Sequence, residues 1–191
     1  PRAEVTGAPV RRAILDVDRS PQGRAEARRR LGIDQRRFLL AVMGGSLGSG
    51  VLNRRLHEYL ERHRHDADLA VYQIAGERFA ASVELIHPDH GATGVDHRVV
   101  GYEPDMAAVY AACDVLIGRG GASTVHEVAV TGSPAILVPW AAAADDHQTD
   151  NVRWLSEVGG ADVGSEGELD GLADVLDALR ADPDGRAASS A

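Results

Sequence analysis

The chain has 191 residues, 44% of them hydrophobic and 4% aromatic, with a formal net charge of -9 at pH 7. That length suits one α/β domain able to bury most of its apolar surface without staples. The acidic balance and scarce stacking rings argue against a nucleic-acid-binding surface, no run approaches the ~20 apolar residues of a membrane span, and no signal-peptide pattern opens the chain.

Val5-Thr6-Gly7-Ala8-Pro9-Val10 reads as a strand and turn. Because the chain opens at Pro1 within that pattern, a missing upstream part is expected. Ser20-Pro21 starts a helix: serine caps it, proline at the first helical position costs no hydrogen bond, and Gly32 ends it. Arg24, Arg28, Arg29 and Arg30 crowd this helix and read as a solvated face or as a phosphate-binding patch.

From residue 37 strands and helices alternate. Phe38 to Met43 is a short buried-type strand, followed by a helix from Val51 to His63. Leu69 to Ile74 is a second strand, with a weaker helix near 78–86. Val99-Val100 lie in a third strand, and Asp105 to Ala112 is a short helix. Cys113 follows; with no second cysteine it forms no internal disulfide, fits a reducing compartment, and reads as a small residue at the core's edge. Val115-Leu116-Ile117 is the fourth strand with a helix from Ser123 to Thr131, and Ala135 to Val138 the fifth with a helix over 146–158. Ala161 to Val163 is a short sixth strand. Ser165 and Glu168 form a capping box for a last helix in which Leu169, Leu172, Leu176 and Leu179 share one face. Residues 181–191 are Ala/Asp/Ser-rich and expected to fray. This spacing predicts βαβ units and an α/β fold, a doubly wound parallel sheet of about six strands in one domain over residues 1–180.

Two glycine loops stand at strand ends. Gly44-Gly45-Ser46-Leu47-Gly48-Ser49-Gly50 follows the first strand of the repeating unit and opens a helix. Glycines let backbone approach an anion, and the helix N-terminus offers unpaired N–H groups with partial positive charge. The loop is not a Walker A, misses the G-x-G-x-x-G spacing, and has no acidic residue after Ile74 to hold a ribose as in NAD enzymes. Gly118-Arg119-Gly120-Gly121-Ala122-Ser123-Thr124 repeats the arrangement after the fourth strand, so the pair can grip a diphosphate from two sides.

Glu127 has two readings. Thr124 to Glu127 satisfies the capping-box spacing, and alternatively the carboxylate accepts both ribose hydroxyls of a nucleotide. Asp145-Asp146-His147 are candidate metal ligands, but three consecutive residues at a helix start rarely converge on one ion. Hydrogen bonds from His147, Gln148 and Asn151 to sugar hydroxyls suit these groups better. His57, His63, His65, His87, His90 and His97 fall in polar stretches that read as exposed, without zinc spacing. No complete catalytic constellation emerges.

These motifs, with Arg11 after Val10, Tyr102-x-x-Asp105-Met106-Ala107, Gly132-x-Pro134, Val138-Pro139 and His147-Gln148-x-x-Asn151, resemble the C-terminal half of the MurG family of glycosyltransferases. They run in family order from residue 5 to about 163. The resemblance implies the Rossmann-like, donor-binding half of a GT-B fold, and transfer of N-acetylglucosamine from UDP-GlcNAc to lipid I in peptidoglycan synthesis. It implies that backbone amides around Gly45-Ser46 and Ser123-Thr124 hold the diphosphate with help from Arg11. By the same resemblance the main chain at Glu103 reads the uracil edge with Met106 packed nearby, and Glu127 holds the ribose. His147 and Gln148 contact the sugar, and Asn151 supports that loop. The implied chemistry is inverting and metal-independent, with no cofactor beyond the donor substrate. The general base, the lipid-linked acceptor site and a peripheral contact with the cytoplasmic face of the bacterial plasma membrane are expected in an N-terminal domain absent from this chain. Alone, the chain is then expected to bind UDP-sugar weakly and turn nothing over.

The chain departs from the family in three places: Leu47 stands for Gln, Ala8 for Asn, and Ser49-Gly50 for Ala-Arg. Two other readings stay open: a UDP-sugar transferase with another acceptor, or a sugar-nucleotide epimerase of the same fold, and a nucleotide-sugar-binding subunit that needs a separate catalytic chain.

Overall fold

The computed structural model describes residues 8–45, 47–89, 92–140, 147–157, 162–163 and 171–188. Its centre is a parallel sheet of β1 (Phe38–Met43), β2 (Leu69–Ile74), β3 (Asp96–Val100), β4 (Val115–Arg119), β5 (Ala135–Val138) and β6 (Asp162–Val163), in the order β3-β2-β1-β4-β5-β6. β1 pairs along its whole length with β2 and on its other edge with β4. The continuous apolar runs of β2, β4 and β5 are buried along their whole length, as strands covered on both faces must be.

Side chains alternate across the sheet, so β1 feeds two cores. Leu39 and Ala41 join a layer with α1 (Arg12–Leu15), α2 (Pro21–Leu31), α5 (Met106–Ala112), α6 (Ala122–Thr131) and α7 (His147–Glu157). Leu40 and Val42 join the opposite layer with α3 (Gly50–Arg62) and α8 (Leu172–Ala181). The predicted alternation holds, and three boundaries move. α4 is a single turn, Glu77–Ala80, instead of a helix near 78–86, and α1 is an added turn. Part of the tail expected to fray, Pro183–Ala188, forms helix α9, where Arg186 lies over the Phe38 ring. Leu172 and Leu176 face the core as predicted, while Ser165, Glu168, Leu169 and the turn at residues 5–7 lie outside the described residues.

Ser20 caps α2, its hydroxyl accepting from Gly23 N–H, and Gly32 ends the helix in the left-handed region. Of the four α2 arginines, Arg29 and Arg30 are exposed as a solvated face requires, and Arg24 and Arg28 are not. Arg24 and Arg28 are neither a solvated face nor a phosphate patch: both pair with Asp114, at 2.5 and 2.6 Å, and Asp114 also accepts Leu39 N–H at 2.7 Å. Arg24 donates to Cys113 O, Arg28 to Ala112 O, and Arg19 to Tyr110 O and Cys113 O. These carbonyls close the C-terminal end of α5, where a helix has acceptors without intrahelical donors and a partial negative charge. Three arginines answer both needs and dock α2 on α5. Cys113 is fully buried beside them, and burial pushes its thiol up, away from the thiolate a nucleophile requires.

Candidate nucleotide-sugar crevice

The winding of the sheet reverses between β1 and β4. The helix after β1, α3, packs on one face and the helix after β4, α6, on the other. The two loops must diverge above the strand ends, which opens a crevice. A cavity of about 690 Å³ lies there. One wall is Gly44, Gly45 and the stretch from Leu47 to Val51 in the first turn of α3, the other Gly121, Ala122, Ser123 and Thr124, and Arg78, Arg119, Trp140 and Gln148 also line it.

Each wall ends in a helix N-terminus. α3 is capped by Ser49, whose hydroxyl accepts Leu52 N–H. α6 follows Gly121 and has no side-chain cap. Its first-turn donors at Ala122, Ser123 and Thr124 therefore stand at the crevice with the positive end of the helix dipole.

Gly48 shows why this loop must be glycine. Its φ is +71°, and a Cβ there would overlap the Ala75 carbonyl and lie 2.8 Å from Phe79 Cδ2. The turn that Gly48 touches is held from behind by a chain of hydrogen bonds. Asn53 Nδ2 donates to Ala75 O (3.3 Å), Gln73 Nε2 to Asn53 Oδ1 (2.9 Å), and His97 Nε2 lies 2.9 Å from Gln73 Oε1. Ile86 N–H donates to His97 Nδ1 at 3.1 Å. A backbone N–H can only donate, so Nδ1 is the acceptor, Nε2 carries the proton, and both amides are oriented in turn. The sequence reading placed His97 among exposed histidines. The structure buries it, because alternation along β3 turns it inward, and burial, reinforced by His87 and His57, lowers its pKa to about 4.

Arg119 stands inside the second glycine motif with no role predicted for it. It ends β4 buried in the crevice floor and donates to Ser49 Oγ at 2.6 Å and to the Val138 and Pro139 carbonyls at 3.4 Å. It thereby ties the cap of α3 to the end of β5. The available signal was a lone arginine closing a buried apolar strand between two glycines. Trp140, half exposed, is a second lining residue that no sequence motif points to.

Glu127 loses one of its two readings. α6 begins at Ala122, so Thr124 lies inside the first turn and no capping box exists. The carboxylate instead accepts from Tyr110 Oη at 2.9 Å through Oε2 and from Arg11 Nη2 at 3.3 Å through Oε1, with its side chain 13% exposed. Burial and the facing Glu127 raise the Tyr110 phenol, keeping it a donor. Met106 precedes Tyr110 by one turn on α5 and is half-buried against the core. Glu103 braces the loop before α5, its carboxylate accepting Tyr72 Oη at 2.5 Å and Asp105 N–H at 2.7 Å.

The predicted residues therefore fall into groups. Gly45, Ser123, Thr124 and Gln148 line the cavity; Arg11, Glu103, Met106 and Glu127 lie off it, along α1, α5 and α6. Arg11 pairs with Glu127 and is not among the described residues lining the cavity. Asn151 Nδ2 donates to Gly120 O of the second glycine loop at 3.2 Å. Gly120 is pressed against α7, where a Cβ would meet Val152 Cγ2 at 2.6 Å. Gln148 Oε1 accepts Trp140 N–H at 3.0 Å. Ser46, Asp145, Asp146 and the side chain of His147 lie outside the described residues. Among the described residues no three potential metal ligands cluster.

Sheet order and crevice define a doubly wound, Rossmann-like α/β domain with its ligand site at the topological switch point. Residues 39–191 match the glycosyltransferase family 28 C-terminal domain, and the chain belongs to that family. It is similar to the UDP-N-acetylglucosamine--N-acetylmuramyl-(pentapeptide) pyrophosphoryl-undecaprenol N-acetylglucosamine transferases of Nitrosomonas europaea and of Acidovorax sp. strain JS42. Identity to the first is 36% over 168 residues, 88% of this chain and 44% of the relative. Identity to the second is 36% over 183 residues, 94% of this chain and 43% of the relative. The crystal structure of Acinetobacter baumannii MurG superposes with a TM-score of 0.70 at 27% identity, covering 93% of this chain and 49% of that one. The glycosyltransferase VinC, solved with DTDP, shares the fold alone, with a TM-score of 0.54 at 23% identity over 81% of this chain and 36% of its own. The chain thus spans less than half the length of the curated relatives it matches.

Proposed function

We propose that this chain is the donor-binding half of an inverting glycosyltransferase that moves N-acetylglucosamine from UDP-GlcNAc to a lipid-linked acceptor, lipid I, in peptidoglycan synthesis. The observation that carries the reading is the convergence of two glycine loops and two helix N-termini on one cavity at the β1/β4 switch point. Such a site favours a group with negative charge on two successive centres.

In this reading the amides of Gly45, Ser46, Ser123 and Thr124 take the diphosphate, and the same groups stabilise the charge that develops on departing UDP. The main chain at Glu103 meets the uracil with Met106 beneath it. Glu127 accepts the ribose hydroxyls. Tyr110 and Arg11 hold its carboxylate in place, a supporting role for Arg11 that its ion pair favours over direct contact with phosphate. Gln148 and His147 meet the sugar, and Asn151 positions the Gly120 loop for them. The acceptor hydroxyl, its general base and the contact with the cytoplasmic membrane face are assigned to residues outside this chain. Among the described residues no helix is long and apolar enough to cross a membrane.

Calorimetric titration of UDP-GlcNAc into the wild-type chain and Glu127→Ala tests the assignment. Hydrogen bonds to a charged group contribute about 1.5–3 kcal/mol, so the variant should bind about thirtyfold more weakly. Equal affinities would return Glu127 to a purely structural partnership with Tyr110 and Arg11.

A further inference from the structure

The crevice has a third wall that neither glycine loop supplies. The turn between β2 and α4 meets the first loop at Gly48, and from it Arg78 lines the cavity. The Arg78 guanidinium lies 4.4 Å from the centroid of the Phe79 ring, and that ring abuts Gly48 and Gly50. A cation held over an aromatic face has its position restricted without having its charge neutralised. Arg54, one turn into α3, approaches the same glycine as the Phe79 ring: its Nη1 would be 3.6 Å from a Cβ at Gly50, as would Phe79 Cε1.

The two arginines differ from most others in the chain. Arg24, Arg28, Arg36, Arg64, Arg98 and Arg180 each hold a carboxylate. Arg54 and Arg78 make no hydrogen bond or ion pair among the described residues, and both are exposed. No carboxylate is among the described residues lining the cavity. In a chain of net charge -9, exposed arginines find acidic partners readily. Two that do not, Arg78 on the cavity lining and Arg54 against the lining residue Gly50, form a local positive field with nothing in the described fold to satisfy it.

We propose that Arg78, with Arg54 behind it, is a cationic rim that engages the β-phosphate of a bound nucleoside diphosphate. The site then selects for the number of phosphates as well as for the base and sugar. This rests on the reading of the crevice as a UDP-sugar site. Arg54 reaches the space that Gly50 leaves open, so the rim supplies charge on the side where the loop has no basic side chain of its own.

The test is calorimetry of uridine, UMP and UDP with the wild-type chain, Arg78→Ala, Arg54→Ala and Arg78→Lys. Both positions are exposed, so the variants should fold, and thermal melts check that they do. An exposed charge-assisted contact should make UDP bind about fivefold to tenfold more weakly to Arg78→Ala, with a smaller loss for Arg54→Ala. Uridine should be unaffected, and Arg78→Lys should retain most of the UDP affinity. Raising the salt should narrow the gap between wild type and Arg78→Ala, as screening requires. UDP binding unchanged in Arg78→Ala, or UDP and uridine weakened alike, would overturn the rim while leaving the crevice assignment standing. A folded wild-type chain that binds no UDP would overturn both.

Discussion

Acid should destabilise this protein through His97 before its carboxylates titrate. The imidazole is buried and neutral, accepting from Ile86 N–H and donating to Gln73, and its pKa lies near 4 against an ordinary 6.5. The folded state binds the proton less readily than the unfolded chain. Its contribution is therefore complete above pH 6.5, declines as pH falls, and is gone below about pH 4. The full gap corresponds to about 3 kcal/mol, of which about 2 kcal/mol should be lost by pH 5. Urea unfolding of wild type at pH 7.5, 6 and 5 reads this directly. His97→Gln removes the titrating group while keeping an amide that can donate to Gln73. It should be less stable at pH 7.5, because Ile86 N–H loses its acceptor, yet fall less steeply with acid. Parallel declines in the two proteins would refute the assignment of the slope to His97.

Two further outcomes follow from the packing. Gly48→Ala combines a left-handed backbone with a Cβ forced against the Ala75 carbonyl, whereas Gly45→Ala has φ of +79° and nothing within 4 Å. Thermal melts should therefore show a loss of more than about 2 kcal/mol for the first and about 1 kcal/mol for the second; similar losses would mean the contact with Ala75 carries no weight. Asp114→Ala strips the shared partner from Arg24, Arg28 and Leu39 N–H and should cost about 3 kcal/mol in denaturant unfolding. Asp114→Asn should recover part of that by keeping an acceptor for Leu39, and a loss below about 1 kcal/mol for Asp114→Ala would show the cluster to be incidental.

The layers, the order of elements and the two glycine loops are legible in the chain's local pattern. These follow from local physics: apolar runs too short for helices, caps such as Ser20 and Asp105, and glycines at strand ends. Period and spacing are properties of neighbouring residues, and they survive folding unchanged. The family resemblance also lay in such contiguous motifs.

The partners of the polar groups come from folding. Arg24 and Arg28 look like a charge run until α5 presents its carbonyls and Asp114 to them, some ninety positions away. His97 looks polar and exposed until β3 is placed at the sheet edge with Gln73 beside it. Glu127 fits a capping box in sequence, and loses that reading once α6 starts two residues before Thr124 and Tyr110 arrives from α5. Arg78 is one basic residue in a weak helical segment until the β2–α4 turn carries it to the crevice. Each of these depends on contacts between distant segments. Local pattern says what a residue can donate, accept or bury, but only the folded chain brings up the group that answers it.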